Sequence, residues 1–128
     1  MKETEWRSKL VRLFKLYHPN DFIWAMDAKF KAGFPDLYII FNKNPYHIEL
    51  KVVDKFPINK STEDLLQLFA PLQLSVMRSI NKAGTKANGL VLDKSCGDVW
   101  LYYMNSSYWS QMIPEKFKSA WCEGWLFI

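Results

Sequence analysis

A chain of 128 residues, 49% of them apolar, is long enough for one hydrophobic core and too apolar to stay disordered. A net charge of +4 and a pI near 9.0 suit a nucleic-acid partner without demanding one. No apolar run reaches the roughly eighteen residues of a membrane span, and the opening MKETEWRSK has no apolar h-region, so a cytoplasmic protein with no membrane partner is expected. Cys96 and Cys122 lack CxxC spacing, which gives zinc binding or thiol catalysis little support. With no repeat, low-complexity tract or linker, a single domain over residues 1–128 is expected. Its core would span 3–103, followed by an aromatic-rich extension over 104–128.

The spacing of Trp6, Leu10, Leu13, Phe14 and Tyr17 predicts an amphipathic helix over residues 3–17. Arg7, Lys9, Arg12 and Lys15 take much of its remaining surface. Glu3 falls on the apolar stripe, in line with Trp6 and Leu10, whereas Glu5 aligns with Lys9 and Arg12 on the wet side. A carboxylate on the core side of a first turn fits an active-site rim, although both acids also suit the positive end of a helix.

Residues 18–21, HPND, form a turn. A strand is expected over 22–29, with Phe22, Trp24, Met26 and Ala28 on one face and Asp27 solvated on the other. In the loop over 30–35, Gly33 is free to take positive φ and swing Asp36 inward. Strands over 37–41 and 46–53 flank a turn at 42–45, and 54–62 is a polar connection. Helical periodicity runs from 63 to 84 but breaks at Pro71, which predicts a short helix to Phe69 and a second one closing at Gly84. Its buried stripe is Leu72, Val76, Ile80 and Ala83, widened by Leu74 and Met77, with Gln73 in the first turn. Strands over 87–92 and 99–103 follow, joined by a turn at 94–98. Tyr108, Trp109, Phe117, Trp121 and Trp125 then cover a sheet face, enter a dimer contact or stack on unpaired bases, core packing being the commoner use of such rings.

The chemistry concentrates in residues 33–53, GFPDLYIIFNKNPYHIELKVV. Strand alternation puts Glu49 and Lys51 on one face and Ile48, Leu50 and Val52 on the other. If the two strands pair as a hairpin, Asp36 comes to lie beside Glu49. Two carboxylates that close repel unless a cation sits between them, and their oxygens suit Mg²⁺ or Mn²⁺. His47 shares the Glu49 face, as a packed structural histidine or an accessory group. No spacing supports a serine or cysteine nucleophile, and no organic cofactor is expected.

The pattern P-D, twelve residues, E-L-K, framed by G-F-P-D-L, H-I-E-L-K-V and a P-L-Q helix ending in K-A-G, resembles the PD-(D/E)XK nuclease superfamily. That order resembles the small phage and virus-type VRR-NUC nucleases and the related archaeal Holliday-junction resolvases, over residues 3–103. A later V-R-R signature is not evident. The resemblance implies a restriction-endonuclease-like α/β core, a mixed sheet of about five strands flanked by helices. It implies a Mg²⁺-dependent DNA endonuclease, structure-specific for branched or junction DNA, with a homodimer as a natural way to engage two strands. Asp36, Glu49 and the Leu50 carbonyl would hold the cation, and Lys51 would orient water or offset phosphorane charge. The family's first-helix glutamate matches Glu3, which would complete the cation's surroundings, and its helix glutamine matches Gln73, facing the site. In a nuclease Lys31, Lys55 and Lys60 would reach the phosphate backbone; otherwise they are solvated. The rival readings are a catalytically idle binding protein on the same scaffold, such as a phage-encoded inhibitor of a host defence system, and a sequence-specific restriction nuclease, for which the chain is short.

Overall fold

The structure, a computed structural model, describes residues 1–26 and 32–127; the expected strand's residues 27–29, with Asp27, and Lys31 lie outside them. The elements follow in the order α1 (Glu3–Tyr17), β1 (Phe22–Ala25), β2 (Leu37–Phe41), β3 (Asn44–Val53), α2 (Thr62–Leu65), α3 (Pro71–Lys82), β4 (Lys86–Asp93), β5 (Val99–Tyr103), β6 (Tyr108–Met112) and α4 (Pro114–Glu123). A 3₁₀ turn at Leu66–Leu68 links α2 to α3. The result is a mixed α/β sheet flanked by helices, as expected, with six strands rather than five. The sixth strand escaped the sequence pattern because YWSQM is only partly buried and carries no clean alternation. No helix among the described residues is long and apolar enough to cross a membrane.

The strands lie in sequence order across the sheet. β3 and β4 pair in parallel, while the other neighbours are antiparallel. A parallel pair needs a crossover, and α2 and α3 supply it. The β2–β3 turn is tighter than the four residues expected. Only Asn42 and Lys43 form it, both at positive φ (50° and 69°), as a two-residue hairpin of right-handed strands requires.

One face of the sheet carries the main core. Trp6, Leu10 and Phe14 of α1 pack with Phe117, Ala120 and Trp121 of α4 over Leu37, Ile39, Ile48, Leu50, Leu90 and Leu101. The aromatic residues at the C-terminal end therefore divide, Phe117 and Trp121 being buried while Tyr108 and Trp125 are exposed. The buried Trp121 indole N–H donates to the Leu10 carbonyl at 2.9 Å, so its polar edge costs nothing to bury. His18 proves structural, its Nε2 donating to the Trp121 carbonyl at 3.1 Å.

The opposite face is covered only in part. Phe69, Leu74 and Met77 sit over Val91, Ala87 and Tyr102. The inward stripe of α3 is rotated from the expected one: Met77 is buried and Gln73, Leu74 and Ile80 are half-buried, whereas Leu72 and Ala83 are exposed. Leu72, though exposed, lies against Gly33 instead. Asp93, unremarked in the sequence, clamps the end of β4. Its carboxylate accepts from the Phe56 backbone N–H at 3.0 Å and the Ser95 N–H at 2.8 Å.

Gly89 fixes how closely the crossover approaches the sheet. A Cβ there would stand 2.4 Å from Phe69 Cζ. Gly89→Ala is expected to destabilise the fold by about 1–3 kcal/mol through overpacking, with much of the loss recovered in a Gly89→Ala/Phe69→Leu double variant. Denaturant unfolding of the singles and the double reads this directly, and additive losses would contradict it.

Candidate functional site

β2 is shorter than β3. It pairs from Leu37 opposite Ile48, and beyond that point β3 runs on with its edge open. Unpaired backbone N–H groups there need acceptors. Two side chains supply them. The Asp36 carboxylate accepts from the Leu50 N–H at 2.9 Å, and the Glu3 carboxylate accepts from the Val52 N–H at 3.1 Å. A strand residue's N–H and C=O project toward the same neighbour, so the Leu50 carbonyl leaves β3 on the Asp36 side.

Asp36 reaches this position because of the loop before it. Gly33 has φ 79°, as the sequence suggested, and an added Cβ would meet Leu72 Cγ at 2.5 Å. The glycine is thus needed twice, for the turn and for contact with the start of α3. The Asp36 carbonyl also accepts from the Met26 N–H at 2.7 Å, which ties the turn to the end of β1.

Glu49 lies at the centre of β3 and is only 3% exposed. Its face is that of α3, and Gln73 reaches down from the first helical turn. Gln73 Nε2 donates to Glu49 Oε1 at 3.0 Å, while Gln73 Oε1 accepts from the Ala70 N–H at 2.9 Å. One amide thereby anchors the helix start and aims its donor at the acid. The other carboxyl oxygen, Oε2, is buried without a hydrogen-bond partner. Burial pushes the Glu49 carboxyl up to about 10, helped by repulsion from the nearby Asp36 and Glu3; Lys51 opposes this. A buried acid with an orphan oxygen beside a second carboxylate is the donor set a hard divalent cation satisfies. The residues present therefore fit such an ion. Among the described residues no three His, Cys, Asp or Glu side chains converge, so a bound ion would draw on the carboxylate pair and backbone oxygen.

Two cations border the pair. Lys51 Nζ lies 3.9 Å from Glu3, and Arg7 lies 3.8 Å from Asp36. All four side chains are partly exposed, so each pair contributes at most about 1 kcal/mol and serves to orient. The structure thus brings Asp36, Glu49, Gln73 and the Leu50 backbone together, with Lys51 and Glu3 alongside. Lys55 and Lys60 are exposed on the connection after β3. Arg7 was missed in the sequence, where it counted as one more wet-face cation of α1. Its place one helical turn after Glu3 was the available signal. His47 is buried beside Tyr38 and Phe34, with Nδ1 unpartnered, and burial lowers its basicity despite the Lys86 backbone. A separate apolar cavity of about 530 Å³ lies between α1 and α4, lined by Trp6, Leu10, Phe117 and Trp121, and holds none of these groups.

No family model and no curated protein matches the chain. Among solved structures it is similar to Archaeoglobus fulgidus Hjc, described as a Holliday junction resolvase from an archaeal hyperthermophile. Identity is 14%, the match covers 89% of this chain and 88% of that one, and the TM-score is 0.49. At that level the likeness says nothing of substrate or catalytic residues.

The raised Glu49 carboxyl has a consequence for stability. It keeps its proton to about 10 in the fold and to 4.5 when unfolded. Its contribution is whole below the lower value and is lost as pH rises toward the upper one. In EDTA, the melting temperature is expected to fall by several degrees across that window, and Glu49→Gln should flatten the slope. Parallel melting profiles for the two proteins would contradict the assignment.

Proposed function

We propose that the chain is a divalent-metal-dependent nuclease that hydrolyses DNA phosphodiester bonds, with branched or junction DNA as its substrate class. The observation that carries this reading is the forced neighbourhood of Asp36 and the buried Glu49, whose Oε2 is left without a partner. Such an arrangement is costly in a purely structural role. Lys51, one strand repeat beyond Glu49 on the same face, adds the positive charge that phosphoryl chemistry needs.

Asp36, Glu49 and the Leu50 carbonyl would hold Mg²⁺ or Mn²⁺, which when bound supplies Lewis-acid polarisation of the phosphate and an acidified water. Gln73 keeps Glu49 Oε1 engaged, so Oε2 faces the site in one orientation. The Lys51 ammonium would orient the attacking water or donate to a phosphate oxygen, offsetting the charge that builds as the water gives up a proton to solvent, its oxygen bonds to phosphorus and the P–O bond to the leaving sugar oxygen breaks. Glu3 holds Lys51 near the site and fastens the free Val52 N–H. Arg7, beside Asp36, stands where a second phosphate oxygen can be met by a guanidinium.

Cleavage of linear, flapped and four-way DNA is expected with Mg²⁺ or Mn²⁺ and not with EDTA. Asp36→Asn, Glu49→Gln and Lys51→Ala should each lose at least about a hundredfold, and Gln73→Ala about tenfold. The ion should also raise the melting temperature of the wild type and not of Glu49→Gln. Cleavage surviving all three substitutions would overturn the site. DNA binding with no cleavage of any substrate would favour the idle binding protein instead.

A further inference from the structure

Among the described residues the α3 face of the sheet is covered over β4 and β5 but not over β1. There the chain exposes large rings. Trp24 is 58% exposed and Phe22 is 42% exposed, whereas Ile23 between them is buried on the other face. The Phe22 ring lies 6.2 Å from Trp24 and 6.2 Å from Tyr38, and Tyr38 lies 4.9 Å from His47. These rings are not scattered. Trp24 pairs with Tyr38, Tyr38 with His47, and His47 with Ala87, so Trp24, Tyr38 and His47 form one row across the sheet, with Phe22 one strand repeat away on the same face.

That row adjoins the carboxylates. Asp36 precedes Tyr38 by two residues and Glu49 follows His47 by two, on the same face. One strand repeat, about 6.5–7 Å, separates the rows. His47, buried, ends the ring row on β3, with the Phe34 ring 5.7 Å from its own.

The geometry points to a binding surface for unpaired bases: Trp24, Phe22 and Tyr38 stack nucleotides next to the phosphate held at the Asp36–Glu49 site. This rests on the nuclease reading above and extends it to substrate choice. Bases within a duplex are already stacked on one another, so only single-stranded or splayed nucleotides offer the π-faces these rings take. A second copy of the chain fits less well. Three partly covered rings expose on the order of 300 Å², against roughly 800 Å² per partner in a standard interface. A patch of that size matches one or two bases.

The test measures fluorescence anisotropy in EDTA with labelled DNA: a blunt duplex, the same duplex with a single-stranded tail, and a tailed duplex whose tail is abasic. The wild type is expected to bind the base-containing tail about tenfold or more tighter than the other two. Trp24→Ala should bring tailed DNA to the level of the blunt duplex, and Trp24→Phe should retain most of the preference, which separates stacking from misfolding. A tail preference indifferent to Trp24→Ala or to removing the bases overturns the proposal. So does a wild-type dimer that Trp24→Ala converts to monomer in light scattering, because the patch would then join two copies. The two readings fail separately. Cleavage that needs Glu49 but ignores Trp24 sinks only the stacking surface, whereas Trp24-dependent tail binding without any cleavage sinks only the nuclease.

Discussion

The structure is organised around one unfavourable contact, the burial of the Glu49 carboxyl beside that of Asp36. Nothing in the core requires it. The parallel β3–β4 pair would be satisfied by an apolar residue at that position, and its neighbours Ile48 and Leu50 are apolar on the other face. Instead several features conspire to keep the two acids together. Gly89, opposite Glu49, lets Phe69 lie close to the sheet, which brings the start of α3 within reach of β3. Gln73 then spans from the Ala70 N–H to Glu49. On the other side, the positive φ of Gly33 and the early end of β2 place Asp36 on the free Leu50 N–H. Each of these is a local choice, and together they leave one buried carboxyl oxygen without a hydrogen-bond partner.

The two faces of the sheet divide the labour. The α1–α4 face is a closed aromatic and aliphatic core, knitted by the Trp121 indole and by His18. It carries the stability, which lets the other face remain incomplete. That face holds the acids, the lysine and the glutamine at its centre and exposed rings at its edge. A short β2 and a crossover that covers only half the sheet are what make the open region. The closed core and the carboxylate pair are thus separated by the thickness of one sheet.

Much of this was legible in the sequence, because the signals were local. Alternation in HIELKVV put Glu49 and Lys51 together, glycine before Pro35-Asp36 marked the turn, and Pro71 placed Gln73 in a first helical turn. What could not be read depends on contacts between distant elements. Periodicity gave α3 an apolar stripe containing Leu72, but the stripe that turns inward is set by Phe69, Gly89 and Gly33, none of them on the helix. The partner of Glu3 proved to be a backbone N–H of β3, freed only because β2 stops at Leu37. Arg7 counted as a wet-face residue until the Asp36 loop was brought against α1. Phe22 and Trp24 have the pattern of a buried strand face, yet among the described residues α3 does not reach them and both are exposed.

The central claim is that the Asp36–Glu49 pair exists to hold a divalent cation. The most direct measurement is Mn²⁺ anomalous scattering from crystals soaked at saturating ion. The account predicts one strong peak within coordination distance of Asp36, Glu49 Oε2 and the Leu50 carbonyl. No peak there, with Mn²⁺ bound elsewhere or not at all, would contradict it.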